Sequence, residues 1–183
     1  MVEPFALLFP GQGAQEVGMG KALAEQFPVA QACFKEADAA LNFSLSRLCW
    51  EGPAEALTRT EHCQPALYVT SLAALAALEA EVGQPLTPKA GAGLSLGEYT
   101  ALTAAGTFDF SEGLKLVQLR GQAMEEAAQS TPGTMASVLG LGLNELEAIC
   151  SETGAQVANL NSPGQIVISG SPEHVEAAST KAK

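Results

Sequence analysis

Gly93-Leu94-Ser95-Leu96-Gly97, followed by Glu98 and Tyr99, sets one serine between two glycines at G-x-S-x-G spacing. A serine hydroxyl becomes a useful nucleophile when a sharp strand-to-helix turn lifts it clear of the backbone. That turn needs near-absent side chains at both glycine positions. The chemistry open to such a serine is attack on an activated carbonyl with a covalent ester as intermediate. The other reading of the same five residues is a tight turn closed by a capping serine.

The flanking residues fit the first reading. Lys89 to Ala92 is a short small-residue run suited to a buried strand, and Glu98 to Ala105 is rich in helix formers. A helix beginning just after Ser95 aims free N–H groups and the positive end of its dipole at the reacting carbonyl. The N–H of Leu96 is then half of an oxyanion hole. Near the N-terminus, Phe5 to Phe9 reads as a buried strand running into Pro10-Gly11-Gln12-Gly13-Ala14-Gln15, a loop able to supply the second donor. Ser111 to Gln129 reads as a helix whose Leu116, Ala123 and Ala127 share a face with Arg120. A guanidinium in an apolar stripe has three outlets: solvent, a carboxylate such as Glu98 or Asp109, or a carboxylate ligand.

Between these elements, helical patterns fill Val17 to Leu41, interrupted near Pro28, and Gln64 to Val82, with a loop-rich connection through Cys49-Trp50-Glu51-Gly52-Pro53. Trp50 reads as a core aromatic. After Ser130-Thr131-Pro132-Gly133 the pattern changes to strand (Thr134 to Leu139), helix (Leu143 to Thr153), strand (Gln156 to Leu160), strand (Gln165 to Gly170) and helix (Glu173 to Lys181). The expected division is a core over residues 1–129 and a β-α-β-β-α unit over 130–183, which is a ferredoxin-like order lacking its last strand.

Composition is that of a folded chain: 183 residues, 47% hydrophobic, enough for one domain with an appendage. Cys33, Cys49, Cys63 and Cys150 show no C-x-x-C or zinc spacing, so they read as reduced thiols of a cytoplasmic protein, and no metal site is expected. The apolar run from Ala66 to Leu78 is interrupted by Thr70 and Ser71 and reads as a buried helix, with no membrane partner expected. Nine basic residues against 20 acidic ones, a net charge of −11, argue against a nucleic-acid partner.

Phe9-Pro10-Gly11-Gln12-Gly13-Ala14-Gln15, Gln64-Pro65-Ala66-Leu67, Gly93 to Tyr99, Arg120-Gly121 and Asn161-Ser162-Pro163-Gly164-Gln165 together resemble the malonyl-CoA:acyl carrier protein transacylase family, in the family's order and over nearly the whole chain. The resemblance implies an α/β fold, with an α/β-hydrolase-like core carrying a small ferredoxin-like α+β subdomain, the latter incomplete. It implies transfer of malonyl from coenzyme A to the phosphopantetheine thiol of acyl carrier protein in fatty acid biosynthesis, with malonyl-CoA as substrate and no cofactor. By this resemblance Ser95 carries the acyl group, Gln12 and Leu96 give the backbone oxyanion donors, Arg120 meets the malonyl carboxylate, and Gln64 lines the pocket. A planar guanidinium fork suits a carboxylate, which favours the ligand role for Arg120.

Two departures accompany the resemblance. Leu94 stands where the family often has His, and the family's catalytic His is expected in a segment beyond Lys183. His62 and His174 read as surface or capping histidines. Coenzyme A and acyl carrier protein are anionic, so docking requires a local basic patch, with Lys89, Lys115 and Arg120 nearest the serine in sequence. A serine hydrolase or thioesterase using the same turn, and a binding fragment without a base, are the alternative readings.

Overall fold

The structure, a computed structural model, describes residues 4–183 and divides into two compact units, one ending at Glu126 and the other spanning Ala127–Lys183. Residues 1–3 of the expected core lie outside the described residues.

In the first unit, strand β1 (Ala6–Phe9) is followed by helices α1 (Lys21–Gln26), α2 (Pro28–Leu41), α3 (Leu45–Glu51), α4 (Ala54–Thr58) and α5 (Thr60–Val82), then strand β2 (Ala90–Gly93), helix α6 (Leu96–Ala104) and helix α7 (Phe110–Ser130), whose residues from Ala127 onward are counted with the second unit. Pro28 opens α2 at its first turn, where its missing N–H costs nothing, which is why the helical pattern breaks there without ending. The expected loop at Cys49-Trp50 is instead helical. Ser44 caps α3 by accepting from the Arg47 N–H, and Asp38 accepts from both the N–H and the hydroxyl of Ser46. The Ser44 cap, together with Asp38 reaching from α2, stabilises a helix too short to declare itself by periodicity.

Helix α5 is the centre of this unit. It is long and apolar enough to cross a membrane, yet ten of its residues, from Cys63 to Ala77, are buried in the unit's core. A helix apolar on all sides belongs in a core. It packs with Phe34, Leu45, Leu57, Leu96, Leu114 and Val117, all at most 1% exposed. The buried Tyr68 hydroxyl is satisfied by Thr103 Oγ1 and the Phe110 carbonyl, each at 3.0 Å. Trp50 is half-buried against the core, with its ring 5.3 Å from that of Phe34.

β1 and β2 pair in parallel, Ala6 opposite Ala90 through Phe9 opposite Gly93. This register brings the Pro10–Gln15 loop and the turn at Ser95 out of the same carboxyl edge, the place where open parallel sheets bind ligands.

The second unit contains strand β3 (Thr134–Leu139), helix α8 (Leu143–Thr153), strands β4 (Gln156–Ser162) and β5 (Gln165–Gly170), and helix α9 (Pro172–Lys181). The sheet order is β3-β5-β4, antiparallel throughout. Val138, Ile166 and Ile168 from the sheet pack on Leu146, Cys150, Val175 and Ala178 from the two helices. Lys181 Nζ pairs with Glu152, joining the end of α9 to α8.

Candidate active site

Ser95 sits between β2 and α6 with φ 54° and ψ −104°, a positive φ that a residue with a side chain adopts only under constraint. The constraint is packing by glycine. A Cβ at Gly93 would run into the backbone of Gly97 and Glu98, and one at Gly97 into the carbonyl oxygen of Phe9. The two glycines of the motif therefore let strand, turn and helix close on one another, with the Leu94 N–H donating to Phe9 O at 3.3 Å. The Ser95 side chain makes no capping bond to α6 and is exposed, which removes the capping-serine reading. Leu96, first residue of α6, has no acceptor within the helix for its N–H, and the helix dipole points its positive end at the same spot.

Arg120 donates from Nη2 to Ser95 Oγ at 2.8 Å and from Nη1 to Gln64 Oε1 at 2.6 Å, and its guanidinium carbon lies 5.8 Å from the centre of the Tyr99 ring. Of the residues singled out from sequence, three are thus joined in one chain: Gln64, Arg120, Ser95. Gln64, 1% exposed, is fixed at its other end by donating to Met124 Sδ. Among the described residues Arg120 makes no ion pair. Asp109 is committed elsewhere, its carboxylate accepting from the Glu112 N–H at 2.7 Å while the Glu112 carboxylate accepts from the Asp109 N–H at 3.1 Å, a reciprocal cap at the start of α7. The cation is oriented by neutral groups alone, so its charge remains available to an anionic ligand.

The apolar stripe expected around Arg120 is corrected by the structure. The buried face of α7 is Gly113, Leu114, Val117 and Gly121, whereas Leu116, Ala123 and Ala127 are exposed. Glycine governs this orientation, since a Cβ at Gly121 would lie 3.1 Å from Glu61 Cα and from Thr60 O. The bare Gly121 lets α7 approach the first turn of α5, which sets Arg120 beside Gln64. Periodicity read from apolar side chains cannot register a contact made by glycine.

Gln12 lies in the loop after β1, exposed, its side chain donating to Thr60 Oγ1 at a long 3.5 Å. The loop is pressed against the serine turn at Gly11, where a Cβ would stand 2.7 Å from the Leu94 carbonyl oxygen. Sequence reasoning missed Gln15 and Cys63. Gln15 Oε1 accepts from the Gly13 N–H at 2.8 Å and from Cys63 Sγ at 3.1 Å.

Among the described residues His62, in the same unit as Ser95, makes no hydrogen bond to it. His62 Nδ1 meets the Ala56 carbonyl at 2.9 Å, and His174 is exposed in the first turn of α9 with its N–H on Ser171 Oγ. Lys89 and Lys115 are exposed. No group of three or more His, Cys, Asp or Glu residues suited to a metal occurs among the described residues.

The acyl transferase domain profile matches residues 6–183. The malonyl CoA-acyl carrier protein transacylase of Bacillus subtilis (strain 168) is 49% identical over 183 residues, covering 97% of this chain and 57% of that protein. Among solved structures, the acyl-carrier-protein-S-malonyltransferase of Bartonella henselae matches with a TM-score of 0.89 at 44% identity, over 97% of this chain and 59% of that one. A malonyl-transacylase solved in complex with its type II polyketide synthase acyl-carrier protein matches with a TM-score of 0.89 at 41% identity, over 98% and 59%. The chain thus spans less than three fifths of the length of each of these relatives.

Proposed function

Because this chain belongs to the acyl transferase domain family, we propose that it supplies the nucleophile and the acyl-carboxylate site of a malonyl-CoA:acyl carrier protein transacylase. The observation that carries the proposal is the Gln64–Arg120–Ser95 chain, with a guanidinium held 2.8 Å from the hydroxyl by neutral partners. The carboxylate of a malonyl ester on Oγ stands three bonds beyond that oxygen, within reach of the Arg120 fork once it turns from the hydroxyl. Acetyl has no group to offer there.

In the first half-reaction Ser95 Oγ attacks the thioester carbonyl, forming the C–O bond. As the tetrahedral intermediate collapses, the C–S bond breaks and its electron pair leaves on sulfur. The net proton movement is from the serine hydroxyl to the thiol of coenzyme A. Backbone N–H groups of Leu96 and Gln12 stabilise the oxyanion, and the N-terminus of α6 adds its dipole. The phosphopantetheine thiol of acyl carrier protein then attacks the ester and takes the malonyl group by the reverse sequence, restoring the serine. No cofactor is required. His62 Nδ1 is taken by the Ala56 carbonyl, so in this reading the first acylation proceeds slowly on the oxyanion donors and the activated thioester alone, and sustained turnover needs a proton relay other than His62. In this reading the first unit is an α/β-hydrolase-like core, and β3-β5-β4 with α8 and α9 are three strands and two helices of a ferredoxin-like subdomain, in a protein of the cytoplasm.

The reading is tested by comparing malonyl-CoA and acetyl-CoA on Arg120→Ala. The malonyl reaction should weaken by about 2–5 kcal/mol, the range for truncating one member of a buried charge pair, with a much smaller effect on acetyl. Equal losses on both would make Arg120 a structural residue.

A further inference from the structure

The loop that carries Gln12 has a construction problem. Gln12 is flanked by Gly11 and Gly13, the latter at φ 113°, so the peptide planes on either side of its N–H have little intrinsic preference. Yet an oxyanion donor is effective only if it is aimed in advance. One edge of the loop rests on the Leu94 carbonyl. The opposite edge is tied by Gln15, whose single amide oxygen accepts both the Gly13 N–H and the thiol of the fully buried Cys63. Cys63 immediately precedes Gln64 in α5, and Gln64 holds Arg120.

We propose that Gln15 and Cys63 are positioning residues that clasp the Pro10–Gln15 loop to α5 and thereby aim the Gln12 N–H at the oxyanion. Two consecutive residues of one rigid helix then set the two halves of the site. Cys63 sets the oxyanion loop through Gln15, and Gln64 sets the carboxylate fork through Arg120. The thiol acts here as a buried hydrogen-bond donor, a role a serine hydroxyl also fills. The catalytic part of this inference rests on the acyl-transfer reading of Ser95; the clasp itself does not.

The test uses Gln15→Ala, Cys63→Ala and Cys63→Ser in this chain, with two readouts. The first is amide hydrogen exchange at Gly13 without substrate, which should accelerate by about tenfold or more in Gln15→Ala, less in Cys63→Ala, and return toward the parent rate in Cys63→Ser. The second is single-turnover acylation of Ser95, which should fall by about ten- to a hundredfold in Gln15→Ala, equally for malonyl-CoA and acetyl-CoA, because the oxyanion is common to both. Cys63→Ser should recover acylation relative to Cys63→Ala. Unchanged Gly13 exchange in Gln15→Ala overturns the clasp, and faster exchange with unaltered acylation overturns its role in aiming the Gln12 N–H. A loss confined to malonyl would make Gln15 a contact of the acyl carboxylate and also overturn the proposal. Should the parent chain itself fail to acylate, the acyl-transfer reading is lost, and Gly13 exchange alone decides whether the clasp exists.

Discussion

Ser95 holds its hydroxyl outward only because the backbone at Gly93, Gly97 and Phe9 is packed too closely for any side chain to intervene. Gly97→Ala sets a methyl group against a carbonyl oxygen, and it should cost about 1–3 kcal/mol or more in denaturant unfolding, as overpacking against fixed structure does. It should also slow acylation by displacing Ser95. A substitution tolerated without loss of stability would show that the turn is looser than these contacts imply. Much of this scale was legible in the sequence. The glycine spacing declared the turn, whereas Arg120 was singled out from an apolar stripe that is exposed in the structure, and its ligand role came from the family resemblance. What could not be read was the company each residue keeps: that Asp109 is spent on Glu112, that Gln64 holds Arg120, and that Gln15 meets Cys63 across the fold.

Helix α7 reaches α5 through glycine, and its start is fixed by a side-chain cap. Asp109→Ala removes one arm of that reciprocal cap and should destabilise the chain by about 0.5–2 kcal/mol in thermal or denaturant unfolding, leaving malonyl preference over acetyl intact. Gly121→Ala should do the opposite. Its added methyl pushes α7 from Thr60 and Glu61, separates Arg120 from Gln64, and should lower malonyl preference with a smaller effect on acetyl. If the preference survives, the fork is not set by this helix contact. The positions of the strands and long helices were readable from apolar and small-residue runs and from breakers at Pro28 and Gly93, but the burial expected of the first two strands was not, since β1 buries only Phe9 and β2 none of its residues. The α3 segment was not, because its stability comes from Ser44 and Asp38 rather than from its own periodicity. The exposed face of α7 was misread for the related reason that its buried face is built on Gly113 and Gly121.

The whole molecule couples its core to pH through buried thiols. Burial pushes Cys49 up to about 12 and Cys63 up to about 11, from an ordinary value of 9.0. The unfolded chain therefore loses these thiol protons first as pH rises. Stability from keeping them neutral is complete below pH 9.0 and declines above it, by about 1.4 kcal/mol per pH unit for each thiol, until the folded group itself ionises. Denaturant unfolding between about pH 8 and about pH 10.5 should show this fall, shallower in Cys63→Ser; an unaltered slope would contradict it. The central claim for the molecule is a covalent acyl intermediate on one serine. It is tested most directly by mixing the chain with malonyl-CoA, quenching, and measuring the masses of its peptides. The expected result is a malonyl adduct on the peptide containing Ser95, absent from Ser95→Ala. No adduct in the parent chain, or one that persists in Ser95→Ala, would contradict it.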